Sequence, residues 1–130
     1  MSDFTLTSKN KDGLLIIETN GYLNNIGGEE IAKVCNENID SGTKKILLNL
    51  ENSKVVNSIG VSILIEIIEK LQEVGGELGY YNLAPIVEKT FNIMGITKYS
   101  KVFSSYKKNN INTLKDSLKG KFINYISDKW

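Results

Sequence analysis

The chain has 130 residues, 41% apolar and 24% charged, with a formal net charge of +1, enough for one domain with a buried core. It contains no histidine, no arginine and a single cysteine, which excludes a Cys/His zinc site, a Ser–His triad and bidentate guanidinium clamps on phosphate. Near-neutrality carried by lysine alone argues against nucleic-acid binding.

The N-terminus, Met1-Ser2-Asp3-Phe4, has no basic stretch leading into an apolar run, so no signal peptide is expected. Phe4–Thr7 and Leu14–Thr19 read as strands about an Asn10-Lys11-Asp12-Gly13 turn, Asp-Gly between apolar runs being a hairpin signal. Gly21-Tyr22-Leu23 continues the β pattern. From Ile26 to Ile39, apolar Ile31, Val34, Cys35 and Ile39 fall three and four apart, an amphipathic helix stopped by Gly42. Gly27-Gly28-Glu29-Glu30 looks like a diguanylate cyclase signature, but the chain is too short for that enzyme, and the carboxylates read as first-turn residues of this helix. Cys35 reads as a small core residue in a reducing cytoplasm.

Lys44–Leu50 is apolar with little alternation, as in a strand covered on both faces. A helix is expected from about Ser58 to Val74, ended by Gly75-Gly76. Glu66 and Glu69 interrupt it, so it is no membrane span. Its polar residues Ser62, Glu66, Glu69, Lys70 and Glu73 share one arc. Ile59 falls among them and begins an Ile59/Ile63/Ile67 ridge, which either lies under the C-terminal helix or docks a partner. Glu77–Tyr81 is the next strand, with Tyr80 and Tyr81 expected to point one inward and one outward. Ala84-Pro85 opens a helix through Met94, closed by Gly95, and Lys101-Val102-Phe103 is a short last strand.

Residues 1–106 carry a net charge of −3 and residues 107–130 a net charge of +4. Ile111, Leu114, Leu118, Phe122 and Ile126 recur at helical steps, giving one more amphipathic helix. Its apolar face needs the protein's own core, a second copy or another protein. Its lysines read as a solvated face. The order β-β-α-β-α-β-α-β predicts an α/β sandwich: a mixed sheet of four to five strands, helices on one side and an extra C-terminal helix. Residues 1–106 form the domain, and 107–130 are its helical extension.

Ser58 sits where a strand gives way to a helix. Open backbone N–H groups and the helix dipole there favour an anion, so a phosphoryl group on this serine would be held by the fold. Ser58 and Asn57 are also good N-cap residues, and capping alone would account for either.

The ordered set Gly21-Tyr22-Leu23-Asn24, Lys44–Leu50, Asn57-Ser58-Ile59-Gly60, Val74-Gly75-Gly76-Glu77-Leu78, Asn82-Leu83-Ala84-Pro85-Ile86-Val87 and Met94-Gly95-Ile96 resembles the STAS domain of bacterial anti-sigma factor antagonists, over about residues 3–106. The resemblance implies partner switching, in which the unmodified antagonist binds an anti-sigma factor that is also a serine kinase. Phosphorylation at the head of the second helix breaks the complex, and a phosphatase resets it. The family motif Asp-Ser-Ser/Thr-Gly places the phosphoacceptor at Ser58, with Asn24, Asn57, Ile59, Gly60, Val61 and Ile63 as the partner-binding surface. Asn57 and Asn24 stand where the family commonly has Asp, and Ile59 replaces the second hydroxyl residue. The resemblance implies no catalytic residue, metal or cofactor, and no nucleic-acid or membrane partner. A homodimer would use the C-terminal helix or the Ile59/Ile63/Ile67 ridge. The alternative is an unphosphorylated scaffold or small-ligand sensor acting through protein contacts.

Overall fold

The computed structural model describes residues 4–103. The sequence-predicted helix over 107–130 lies outside them. Strands β1 (Thr5–Lys11) and β2 (Leu14–Asn20) form the expected hairpin. Asp12 and Gly13 both have positive φ, 54° and 86°, as the two central residues of a type I′ turn require. Then follow α1 (Asn25–Asp40), β3 (Lys45–Asn52), α2 (Ser58–Glu73), β4 (Glu77–Tyr81), α3 (Pro85–Met94), a 3₁₀ turn (Ile96–Lys98) and β5 (Lys101–Phe103).

The sheet order is β1-β2-β3-β4-β5, antiparallel between β1 and β2 and parallel thereafter. Each parallel strand is added on the same side of the one before. Crossovers of one hand then put every helix on one face. The core follows that rule. Leu15 and Ile17 of β2, Ile46, Leu48 and Leu50 of β3, and Leu78 and Tyr80 of β4 pack against Ile31, Cys35 and Ile39 of α1. The same cluster takes in Val61, Leu64, Ile67, Ile68 and Leu71 of α2 and Val87 and Phe91 of α3. The Tyr80 and Phe91 rings meet edge to face, centroids 5.1 Å apart. α1 and α2 approach closely where Ile63 lies over Gly28, and a Cβ on Gly28 would meet Ile63 Cδ1 at 2.8 Å.

Three local expectations are corrected. Gly21–Leu23 does not extend the strand, and only Leu23 pairs, in an isolated parallel bridge with Val56. Glu29 and Glu30 are not first-turn residues. α1 starts at Asn25, capped by Asn24, so the acidic pair falls in the second turn and its first turn holds no acid. Tyr80 and Tyr81 are both buried, at 0% and 1% exposure, although they point to opposite faces of the sheet. Burial pushes the Tyr80 phenol up in pKa, opposed only in part by Ser100, whose hydroxyl is committed to the Ile96 carbonyl at 2.7 Å. It pushes the Cys35 thiol up to about 12, consistent with a core residue and not a reactive one.

Candidate functional site: the paired helix heads

The segments before α1 and α2 are clamped together. The Leu23 N–H donates to the Val55 carbonyl (2.9 Å), and the Asn57 N–H donates to the Leu23 carbonyl (3.1 Å). Two helices therefore begin side by side, each capped by an asparagine. Asn24 Oδ1 accepts from the Gly27 N–H (3.1 Å) and Asn57 Oδ1 from the Gly60 N–H (2.9 Å). The sequence sets this up twice, with a short acceptor side chain three residues before a glycine.

Ser58 is therefore the first residue inside α2, not its cap. It is exposed, and its carbonyl accepts from Ser62 Oγ at 2.8 Å. The Gly60 N–H goes to the cap side chain and the Val61 N–H to the Asn57 carbonyl (3.1 Å). Among the described residues, the Ser58 and Ile59 N–H groups stay open. The first turn of α2 holds no acidic residue, so its positive dipole end is uncompensated. Among the described residues, no hydrogen bond joins a carboxylate or amine side chain to the Ser58 hydroxyl.

The other expected site residues separate by exposure. Ile59 is open, at 54% exposure, while Asn24 and Asn57 are half-buried in their caps. Gly60 and Val61 lie inward. Val61 is fully buried, since its place on α2 aims it into the core. Gly60 lies so close to the Leu23 backbone that the absence of a side chain is what lets the two segments touch. Ile63 is half-buried against Gly28, and Ile67 is in the core at 2% exposure. Of the Ile59/Ile63/Ile67 ridge, Ile63 thus meets α1, Ile67 lies in the core and Ile59 is exposed.

Sequence reading missed the rest of the apolar surface at this end. Tyr22, Ile26 and Val55 are exposed, and they belong to the loop and first turn around the Leu23–Val56 bridge. Tyr22 and Val55 line a shallow cavity of about 310 Å³ with Gly21, Asn52 and Lys54. The signal available was apolar residues placed in loops, where burial is not expected. Also missed was a polar network behind the loop. Asn49 Nδ2 donates to Glu18 Oε2 (3.2 Å), and Asn49 Oδ1 accepts from the Glu51 N–H (3.1 Å) and Asn82 Nδ2 (3.2 Å). Buried Thr19 and Ser53 share a 2.7 Å hydrogen bond. Together these contacts fix the β3–α2 loop that presents Ser58.

Among the described residues, no cluster of acidic, histidine or cysteine side chains could hold a metal ion, and no helix is long and apolar enough to cross a membrane.

The STAS domain profile matches residues 5–109. BtrV of Bordetella bronchiseptica, named as a candidate anti-sigma factor antagonist, is 28% identical over 100 residues, covering 77% of this chain and 86% of that protein. An anti-sigma factor antagonist candidate from Thermotoga maritima superposes with a TM-score of 0.71 at 17% identity, over 83% of this chain and 92% of that one. The anti-sigma factor antagonist SpoIIAA in its unphosphorylated form gives 0.70 at 20% identity, over 88% and 100%. The phosphorylated form of SpoIIAA, from Bacillus, gives 0.66 at 19%, over 85% and 100%. The profile match spans most of the chain and contains both capped helix heads, and on it the protein belongs to the STAS domain family.

Proposed function

We propose that this protein is an anti-sigma factor antagonist that works by partner switching, with Ser58 as the phosphoacceptor. The observation that carries the reading is the placement of Ser58. It is an exposed hydroxyl on the open, acid-free first turn of α2, beside exposed Ile59 and the apolar residues Tyr22, Ile26 and Val55. The similarity to BtrV and the fold shared with SpoIIAA, a protein known in phosphorylated and unphosphorylated forms, support it. The unmodified surface would bury its apolar residues against an anti-sigma factor with serine kinase activity. A phosphate on Ser58 would put about two negative charges within that contact, costing desolvation and repelling acidic partner groups. A phosphatase would reset the switch. The chain has no catalytic role in this scheme.

Asn57 and Asn24 cap as aspartate would but carry no charge. The helix heads are therefore less negative than the family motif makes them, and a phosphoserine meets less local repulsion. Incubation with the cognate kinase and ATP tests the proposal. It expects a single phosphoryl group, lost in Ser58→Ala, and weakened kinase binding by Ser58→Asp. An unchanged mass together with full binding by Ser58→Asp removes the switch.

A second reading, an unphosphorylated scaffold or ligand sensor, draws on a cavity of about 270 Å³ between α2 and the α3 end. It is lined chiefly by Ile65, Ile68, Met94, Ile96 and Tyr99. A ligand-dependent melting shift abolished by Ile68→Trp would favour it.

A further inference from the structure

The cavity between α2 and the end of α3 is apolar at its floor and open at its mouth. Ile65, Ile68 and Glu69 reach it from α2, at steps of three and four that share one side of a helix. The opposite wall comes from a sharp turn. Gly95 ends α3 in the left-handed conformation, with a φ of 80°. The 3₁₀ turn that follows brings Ile96 and Tyr99 to the same cavity as Met94. Ile68 and Ile96 are 4% and 1% exposed, whereas Tyr99 is 66% exposed. The floor is therefore aliphatic and buried, and an aromatic ring stands at the rim.

Glu69 is the only charged residue that lines this cavity. Among the described residues its carboxylate makes no ion pair and no hydrogen bond, and the adjacent Lys70 is committed to Asp40 at 3.0 Å. Glu66 and Glu73, exposed on the same arc of α2, add charge of the same sign. A cation at the mouth would meet an uncompensated carboxylate and a tyrosine ring, whose face attracts ammonium through its quadrupole. An anion there would be repelled. A cavity of about 150 Å³ takes benzene, so one of about 270 Å³ has room for roughly ten non-hydrogen atoms.

We propose that this cavity binds a small organic amine, with the apolar body on Ile65, Ile68, Met94 and Ile96 and the ammonium between Glu69 and Tyr99. The proposal gives a chemical class to the ligand of the sensor reading, on which it rests. It does not involve Ser58, which lies outside the cavity lining.

Methyl-labelled full-length protein, titrated with 2-phenylethylamine, 2-phenylethanol and phenylacetate, provides the test. The probes share an aromatic body of the right size and differ in charge. The proposal expects the amine to shift the Ile65, Ile68 and Met94 methyl resonances and to bind about fivefold or more tightly than the alcohol, with phenylacetate weakest. Glu69→Gln should erase the amine's advantage and leave the affinity for the alcohol unchanged. Glu69 is exposed, so this variant keeps its fold. Tyr99→Leu should weaken the amine more than the alcohol. Equal binding of the amine and either other probe, or an advantage that survives Glu69→Gln, overturns the amine while leaving a ligand cavity in place. No shift of these methyl groups by any probe overturns both the amine and the sensor reading.

Discussion

Gly60 touches the backbone of Leu23: a Cβ at this position would lie 2.3 Å from the Leu23 carbonyl oxygen and 3.2 Å from that of Asn24. The glycine that follows Ser58 by two residues is there so that the two capped helices can begin side by side. Backbone cannot yield as a side-chain tip can. Gly60→Ala is expected to destabilise the fold by about 2–4 kcal/mol. Gly28→Ala, which presses mainly on the flexible Ile63 side chain, should cost about half that. Urea denaturation of the two variants makes the comparison, and equal losses would contradict it.

Asn57 caps α2 through its side-chain oxygen. Asn57→Ala should lose about 1 kcal/mol, whereas Asn57→Asp keeps the acceptor, adds charge at the positive helix end and should be neutral or stabilising at pH 7. Thermal melts of both variants check the order. The same Asn57→Asp protein restores the family's acidic residue, so its phosphorylation rate against wild type measures what that carboxylate does.

Ile59 and Val61 divide the work expected of one motif. Ile59→Ala should leave stability within about 0.5 kcal/mol of wild type and weaken partner binding about tenfold or more. Val61→Ala should cost about 1–3 kcal/mol of stability with affinity unchanged once folded. Calorimetric titration paired with denaturation separates the two effects.

The buried thiol of Cys35 sets a pH dependence. Its pKa is raised by burial from 9.0 unfolded to about 12 folded, so above pH 9 the unfolded chain releases a proton that the native state retains. The stability linked to this group is full below about pH 9 and is lost as pH rises from there toward 12. Tyr80, shifted up by the same cause, adds to the loss at the alkaline end. Denaturation midpoints should fall steadily from pH 9 to pH 11, and Cys35→Ala should flatten the first part of that fall. Native protein should also resist thiol reagents at pH 8.

Much of this is legible in the sequence. Asp12-Gly13 announces a two-residue hairpin, Pro85 and Gly95 bracket α3, and the three-and-four spacing of Ile31, Cys35 and Ile39 marks the buried side of α1. Periodicity also sets Ile59 among polar positions, as found. It could not assign Val61, because the first turn of α2 is read against a partner strand that only tertiary contact supplies. Alternation misplaces Tyr81 because it assumes one wet face. The Asn49 network is invisible because its members, Glu18, Asn49 and Asn82, lie 31 and 33 residues apart and meet only at the ends of adjacent strands.

The central claim is that Ser58 is the site where a charge turns off a protein contact. The direct measurement is the affinity of the cognate anti-sigma kinase for wild-type protein before and after treatment with that kinase and ATP, with the modified residue located by fragmentation mass spectrometry. The account predicts one phosphoryl group on Ser58 and a loss of affinity of at least tenfold. Phosphate at another residue, or Ser58 phosphorylated with affinity unchanged, would contradict it.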